Sequence, residues 1–189
     1  MLKTIIAKKI SAFEAEWDYS MDYAREILAL GIKPLKKFFD AQAIGEYRVG
    51  ISPAAHYCAK ILGVMAGDCG PCVQLVVDMA QRDGVSPDAL AALVGGDFDA
   101  LPPDMRLCAE FTRALLARDP SLPELRERVR LQHGTAGLVS IAYAVINANM
   151  YPVLKYALGH GHACAKIEIG DRRILPVSPL APSPLEQVA

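Results

Sequence analysis

Long runs of like charge are absent from this sequence, and their absence narrows the partners that the chain can have. Lys and Arg number 20 and Asp and Glu number 21, so the formal net charge is −1, and no block of five or six charges of one sign occurs. Proteins that bind nucleic acid cluster Lys and Arg on one face or along one helix. We therefore expect no nucleic-acid partner.

Long apolar segments without interruption are also lacking. The apolar patch at the N-terminus is interrupted by Lys8 and Lys9, so it does not match a secretory leader and we expect it to belong to the mature protein. The most apolar stretch, residues 135–159, would force several unsuitable side chains into lipid if it formed a spanning helix of about 20 residues. They are Asn147, Asn149, Pro152 and Lys155. We expect a buried core helix here and no membrane-spanning segment.

Cysteines are too few for a disulfide framework. They lie at positions 58, 69, 72, 108 and 164, an odd number in a chain of 189 residues. Disulfide-rich frameworks occur in short secreted domains, whereas proteins of reducing compartments keep their thiols free. We therefore expect a cytoplasmic protein whose thiols are free at rest.

What the sequence does contain is a series of helix start and stop signals. Apolar residues recur at helical intervals over 10–30, with a break near 18–20 and a stop at Gly31. Ser52 and Pro53 form a favourable start for a helix over 53–66. Similar signals predict further helices over 69–82, 87–95, 103–118, 123–132 and 135–158.

Two segments near the C-terminus differ from the rest. Gly170 and Asp171 lie between alternating apolar residues and predict a small β-hairpin. Residues 178–189 are rich in proline and predict a poorly ordered tail. The sequence shows no internal repeat and no interdomain linker. It therefore predicts a single all-α domain over 1–177, a compact multi-helix bundle with a small C-terminal β-hairpin, followed by the tail.

The heptapeptide GDCGPCV at positions 67–73 places two cysteines at the start of a predicted helix. Cys69 and Cys72 are three residues apart, so they share one helix face and their Cα atoms lie about 5 Å apart, within reach of a disulfide. Asp68 is the predicted N-cap. Cys69 then occupies the first helical position, where backbone N–H groups and the helix dipole stabilise a thiolate. The pattern indicates Cys69 as the nucleophile and Cys72 as the resolving thiol.

The tetrapeptide CGPC is identical to the active-site motif of thioredoxins, but the strands that flank it in that fold are not predicted here. The order of a capped helix, a Gly-Asp break, the CxxC, a buried helix and the turn DGVSPDAL at 83–90 resembles the alkyl hydroperoxidase D-like and carboxymuconolactone decarboxylase superfamily. The similarity is most specific over 53–95 and extends more loosely to 158. It implies an all-α cytoplasmic homo-oligomer, often a trimer or hexamer, that reduces peroxides through its cysteine pair.

The chain departs from the peroxidase members of that superfamily at two positions. Those members have a histidine four residues after the second cysteine, where this chain has Val76, and a glutamate twelve residues before the first, where it has Tyr57. His56 or Tyr57 is a candidate substitute, as a base or a hydrogen-bond partner, although neighbouring helix positions point about 100° apart. The implied catalytic set is Cys69, Cys72 and His56. The implied partners are a small-molecule oxidant or hydroperoxide and a thiol electron donor of unknown identity, with no cofactor.

Three classes of function stay open from the sequence. The CxxC favours a dithiol oxidoreductase with peroxidase or disulfide reductase activity, whereas the two departures favour a non-catalytic oligomeric or ligand-binding member of the same fold. A zinc-binding protein is the third class, because His160, His162 and Cys164 could join the cysteine pair as ligands. The glycines around His160 instead indicate the flexible end of a long helix, so we assign no metal site. Cys58 and Cys108 are predicted to be buried apolar residues.

Overall fold

The computed structural model of the protein describes residues 2–163 and 166–180. The described residues are 73% helical, and the predicted all-α bundle with a C-terminal β-hairpin is confirmed. Cys164 and residues 181–189 of the predicted tail lie outside the described residues. The elements are α1 (Leu2–Trp17), α2 (Asp22–Leu30), α3 (Ile32–Gln42), α4 (Pro53–Ala66), α5 (Gly70–Arg82), α6 (Pro87–Gly95), α7 (Pro103–Ala117), α8 (Leu122–Ala157), β1 (Ile167–Ile169) and β2 (Arg172–Ile174), with short 3₁₀ helices at Ala43–Glu46 and Phe98–Ala100.

Local start and stop signals explain the helices whose bounds agree with the prediction. The Ser52 side chain accepts a hydrogen bond from the Ala55 N–H at 3.0 Å and caps α4 just before Pro53. Gly96 follows α6 with a φ of 78°, a left-handed conformation that glycine adopts without strain. The predicted bounds of α4 and α6 are confirmed.

The N-terminal segment forms two helices separated by a turn. α1 begins at Leu2, well before the predicted start at residue 10. The predicted break near 18–20 is confirmed by the turn between α1 and α2. Tyr19 lies in this turn, is buried, and packs edge-on against Phe13 with their ring centroids 6.3 Å apart. The turn therefore points an aromatic side chain into the protein.

The helix α8 contains the most apolar stretch of the chain. Gly134 has a non-helical conformation, with φ 68° and ψ 178°, and divides α8 into the two helices predicted over 123–132 and 135–158. By length and composition alone α8 could cross a membrane, and 44% of its apolar 18-residue window is buried within the protein. Because the core helix of a soluble protein passes the same test, this is weak evidence for a span.

Two buried polar side chains tie α8 to the segment before α4. Ser140 Oγ donates to the Val49 carbonyl at 2.9 Å. Asn147 Nδ2 donates to the Gln42 carbonyl at 3.0 Å. Buried polar groups in folded proteins normally have such partners, so these bonds mark the face of α8 that packs into the core.

Buried apolar side chains form two clusters that meet at α5. The larger cluster is built on α4, α7 and α8 and contains Leu62, Cys69 and Cys72. The smaller cluster joins α1, α2 and α3 and contains Tyr23. Leu75, on the next turn of α5 after Cys72, belongs to the smaller cluster. The start of α5 therefore lies where the two clusters meet.

The C-terminal hairpin packs against α5. β1 and β2 are antiparallel, with Ile167 opposite Ile174, and Ile167 and Ile169 are buried. Gln74 on α5 donates to the Glu168 carbonyl at 2.9 Å and accepts from the Glu168 N–H at 2.8 Å. This pair of hydrogen bonds and the two buried isoleucines hold the hairpin on the outer side of α5.

Candidate functional site

The cysteine pair lies at the N-terminal end of α5. Cys69 is the N-cap residue of that helix and Cys72 lies in its first turn. Their Cα atoms are 5.3 Å apart and their sulfurs form a disulfide. The predicted proximity is confirmed. The structure therefore represents the oxidised state of the site. The expectation that the thiols are free at rest stays a prediction, since it concerns the resting state in a reducing compartment.

Asp68 does not cap α5, contrary to the prediction. Its φ is 48°, in the left-handed region that Asp tolerates more readily than most residues. The turn through Asp68 moves the helix start on by one residue, so Cys69 takes the cap position and α5 begins at Gly70. Tyr156 Oη donates to the Asp68 carbonyl at 2.8 Å, which holds this turn against α8.

The two sulfurs have different surroundings. Cys69 is completely buried, and Cys72 is 3% exposed. Cys72 lines an apolar cavity of about 600 Å³, and Cys69 is not among the residues that line it. A molecule that enters this cavity therefore meets Cys72 and not Cys69.

A hydrogen-bonded pair of polar side chains lies beside Cys72. Tyr19 Oη is 3.9 Å from Cys72 Sγ, and Lys155 Nζ donates to Tyr19 Oη at 3.4 Å. The Lys155 nitrogen also lies 4.6 Å from the centroid of the Tyr19 ring. Because the phenol oxygen accepts from Lys155, the phenol hydrogen can point towards the sulfur. This arrangement allows donation from Lys155 through Tyr19 to Cys72.

Burial controls the protonation of Tyr19 and Lys155. It raises the pKa of Tyr19 to about 12 and lowers the pKa of Lys155 below its ordinary value, because both charged forms lose hydration. Tyr19 is therefore a neutral phenol near pH 7 and can donate to a thiolate. Lys155 releases a proton more readily than an exposed lysine does.

Sequence reasoning did not identify Tyr19 or Lys155 as site residues. Lys155 interrupts the most apolar stretch, and this was the one available signal, because a buried ammonium is costly unless it has a partner. The partner could not be inferred, since 136 positions separate the two residues. Only the packing of α8 against the turn after α1 brings them together.

His56 lies away from the cysteine pair. It is in the first turn of α4, whereas Cys69 follows the end of that helix, about 15 Å further along its axis. The side chain is buried, and Nδ1 has no hydrogen-bond partner among the described residues. Burial, together with the positive charges of Lys60 and Arg48, lowers the pKa of His56 to about 4. A catalytic role for His56 stays a prediction that this placement does not favour.

The two positions that depart from the resembled superfamily have different surroundings. Tyr57 Oη donates to Asp83 Oδ2 at 3.0 Å, and burial raises the pKa of Tyr57 to about 12. Val76 lies one helical turn after Cys72 and lines the same cavity. Position 76 therefore faces the space that a substrate would occupy, but its side chain cannot transfer a proton.

His160 and His162 follow α8, and the structure gives a carboxylate partner to the imidazole of His160 and a backbone partner to the His162 carbonyl. His160 Nε2 lies 2.7 Å from Glu26 Oε2, and the Gly70 N–H donates to the His162 carbonyl at 3.2 Å. Over 2–163 and 166–180, no group of three or more His, Cys, Asp and Glu side chains is placed to hold a metal ion. Cys164, the third residue of the predicted cluster, lies outside the described residues.

Cys58 and Cys108 are free thiols buried in the core, as predicted. Cys58 Sγ donates to the Met105 carbonyl at 3.6 Å and Cys108 Sγ donates to the Ala55 carbonyl at 3.1 Å. Burial raises the pKa of Cys58 well above its ordinary value. A buried cysteine side chain that donates to a backbone carbonyl is a packing group, so the two residues are separate from the Cys69–Cys72 pair.

No protein-family model, no curated protein and no solved structure matches this chain. The protein is defined by its own features, which are an all-α bundle and a disulfide at the head of a buried helix.

Proposed function

We propose that this protein is a thiol-dependent oxidoreductase that cycles Cys69 and Cys72 between a dithiol and a disulfide, with peroxidase or disulfide reductase activity. The disulfide at the start of buried α5, with the Tyr19 hydroxyl beside Cys72, is the observation that supports it most. A bond between residues three apart closes a very short loop and removes little conformational entropy from the unfolded chain. It therefore suits redox chemistry better than stabilisation.

The proposal includes a relation to the alkyl hydroperoxidase D-like superfamily. The helical fold and the CxxC at the head of a buried helix agree with what that resemblance implies. A cytoplasmic location and a homo-oligomer belong to the same proposal. The valine at position 76 sets this chain apart from the peroxidase members.

The surroundings of the sulfurs favour Cys72 as the attacking thiolate, the reverse of the order expected from the sequence. That expectation placed Cys69 at the first helical position, but Cys69 is the N-cap and is completely buried. Cys72 lies in the first turn, where the helix dipole and the Tyr19 hydroxyl both stabilise a thiolate. It also lines the cavity. Cys69 is then the resolving thiol.

The oxidation step starts from the reduced dithiol. The Cys72 thiolate attacks the terminal oxygen of a hydroperoxide, the O–O bond breaks, and the leaving alkoxide takes a proton from Tyr19, which Lys155 reprotonates. The products are an alcohol and a Cys72 sulfenic acid. The Cys69 thiolate attacks the sulfenic sulfur, the displaced hydroxide leaves as water after protonation, and the disulfide forms. Two electrons have passed from the dithiol to the peroxide.

The disulfide returns to the dithiol by exchange with an external thiol. A donor thiolate attacks one sulfur to give a mixed disulfide, and a second donor thiol releases it. Cys72 is the sulfur that faces the cavity, so the mixed disulfide forms there. Dithiothreitol supplies both thiols in an assay.

The test follows each cysteine by intact mass after reduction with dithiothreitol and exposure to a small hydroperoxide. Wild-type protein should lose two hydrogens, Cys69→Ser should gain one oxygen at Cys72, and Cys72→Ser should stay reduced at Cys69. Cys108→Ser, which removes a buried thiol outside the site, should behave as wild type. If Cys69 and Cys72 oxidise no faster than Cys108, the proposed function is wrong. A sulfenic acid trapped in Cys72→Ser would restore the order expected from the sequence.

A non-catalytic ligand-binding role is the second candidate. The cavity beside Cys72 supports it, because about 600 Å³ lies within the range of small-molecule sites. Saturable binding of an apolar ligand by a protein whose cysteine pair fails the oxidation test would establish this alternative.

A further inference from the structure

The cavity beside Cys72 is long and apolar, and α1 forms one of its walls. Leu2, Ile6, Ile10 and Phe13 line it from one face of α1, over roughly 16 Å of helix. Side chains of α4, α5 and α8 form the wall on the other side. A wall of this length and composition fits an extended hydrocarbon chain.

The charged residues that line the cavity are all lysines. They are Lys9, Lys36 and Lys60, and no Asp or Glu is among the described lining residues. Lys36 is already paired, because its Nζ lies 2.7 and 2.8 Å from the two carboxylate oxygens of Asp40. The cavity therefore favours an anion over a cation.

Lys60 is the lysine best placed to hold that anion. It is half-buried on α4, and no hydrogen bond or ion pair joins it to another residue in the part of the chain that the structure describes. Burial lowers the pKa of Lys60, and the charges of Glu46 and Asp83 offset this only in part. An anionic group in the cavity would replace the hydration that the ammonium has lost.

Lys60 and Cys72 lie at different places along the cavity. Lys60 precedes the end of α4 by about 9 Å of helix axis, whereas Cys72 follows that end. Val64, one turn after Lys60 in the direction of the cysteine pair, lines the wall between them. A molecule held at Lys60 can therefore extend along the apolar wall and bring a more distant atom to the sulfur.

We propose that the cavity binds a monocarboxylic acid of medium or long chain, with its carboxylate on Lys60 and its hydrocarbon along α1. The reactive ligand of this class is the hydroperoxide of such an acid. Its terminal oxygen reaches Cys72, and the reduced product leaves as the hydroxy acid. This reaction rests on the proposed function, whereas binding of the acid does not.

Calorimetric titration with dodecanoate and with the neutral alcohol dodecanol separates the two parts of the ligand. Dodecanoate should bind at one site per chain, and butanoate should bind far more weakly because it leaves the apolar wall empty. Lys60→Met should weaken dodecanoate binding about tenfold or more, since a charge-assisted hydrogen bond is lost, and should leave dodecanol binding unchanged. Lys37→Met is the matched control and should change neither, because Lys37 is exposed on α3 and is not among the residues that line the cavity.

Several results would overturn the assignment. Equal affinity of wild-type protein for dodecanoate and dodecanol contradicts carboxylate binding at Lys60. An equal loss of dodecanoate affinity in the Lys60→Met and Lys37→Met variants contradicts it as well. Val76→Phe should narrow the cavity beside Cys72 and weaken both ligands, so unchanged affinity in this variant places the ligand elsewhere. Circular dichroism on each variant checks that the helical fold is retained.

The experiments distinguish an error in the proposed binding site from an error in the proposed thiol chemistry. Cys72→Ser should still bind dodecanoate, whatever the outcome of the oxidation test. If dodecanoate binds but a fatty acid hydroperoxide is not reduced, the thiol chemistry is wrong and the binding site stands. If a small hydroperoxide is reduced while dodecanoate neither binds nor competes, the binding site is wrong and the thiol chemistry stands.

Discussion

Tyr19 Oη accepts a hydrogen bond from Lys155 Nζ at 3.4 Å, which leaves the Tyr19 hydrogen able to turn towards Cys72 Sγ, 3.9 Å away. This pair brings a phenol from the turn after α1 and an ammonium from the end of α8 to the head of α5. Val76, one turn after Cys72, cannot donate a proton. In the proposed mechanism Tyr19 and Lys155 provide the proton that a histidine at position 76 would otherwise supply.

Replacing Tyr19 by Phe removes the hydroxyl and keeps the ring that packs on Phe13. We expect the rate of Cys72 oxidation by a hydroperoxide to fall roughly 100-fold, the lower end of what a positioned general acid contributes. Stopped-flow measurement in the Cys69→Ser background isolates this step.

The control for Tyr19→Phe is Tyr57→Phe. Tyr57 lies where the peroxidase members of the resembled superfamily have a glutamate, but its hydroxyl donates to Asp83. Its loss should change the oxidation rate little. If the two variants slow the reaction equally, Tyr19 is not the specific donor to Cys72.

In the Tyr19→Phe variant, a histidine introduced at position 76 should partly take over the role of the missing Tyr19 hydroxyl. Val76 lines the cavity one turn after Cys72, so a side chain there lies on the same helix face as the sulfur. In the Tyr19→Phe background, Val76→His should raise the oxidation rate about tenfold, with a pH profile that follows imidazole ionisation. Val76→Asn is the polar control that cannot titrate, and an equal gain in that variant would exclude proton transfer as the cause.

The parts of the structure that depend on nearby residues could be predicted from the sequence. Ser52, Pro53 and Gly67 define both ends of α4, and each acts within one turn of the helix end that it sets. The proximity of Cys69 and Cys72 follows from the helix repeat alone.

The rest of the site depends on contacts between residues far apart in the sequence. The early start of α1 is supported by packing of Ile6 and Ile10 in the N-terminal cluster, which the sequence before residue 10 does not reveal. The predicted cap was wrong by one residue because Asp68 and Cys69 are adjacent and the turn after α4 decides between them. Tyr19 and Lys155 meet only in the folded chain.

His56 should make the protein less stable in acid. The unfolded chain binds a proton at His56 near pH 6.5, whereas the folded chain does so only near its pKa of about 4. Lowering the pH from 6.5 to about 4 therefore reduces the free energy of unfolding by roughly 3 kcal/mol. Above pH 6.5 this reduction is absent. Urea unfolding at pH 7 and pH 4.5 should show a smaller loss of stability for His56→Gln than for wild type.

The control is His162→Gln at an exposed position, which should keep the pH dependence of wild type. If His56→Gln also keeps the pH dependence of wild type, His56 is not the cause of that dependence. The same variant tests the catalytic role expected from the sequence, because an unchanged rate of Cys72 oxidation would rule that role out.

An apolar stripe on α8 is a surface through which copies of the chain could associate. Tyr143, Ile146 and Val153 are exposed on one face of α8, by 37%, 51% and 68%, and Met150 lies between them. Their spacing alternates between three and four residues, as in helices that pack along a seam. Burial of such an apolar row by a second copy of the chain favours association, because it removes apolar surface from water. We therefore predict a homo-oligomer that associates through α8.

Light scattering after size-exclusion chromatography at micromolar concentration tests this surface. Wild-type protein should exceed the 20.4 kDa of one chain, and the double variant Ile146→Glu, Val153→Glu should be a monomer, because covering two carboxylates without partners is costly. Leu131→Glu changes an exposed leucine of α8 before Gly134 and should leave the oligomer intact. A wild-type monomer would contradict the oligomer and weaken the proposed superfamily relation. An oligomer that persists in the double variant would place the interface on another surface, since two buried charges in the stripe could not be tolerated there.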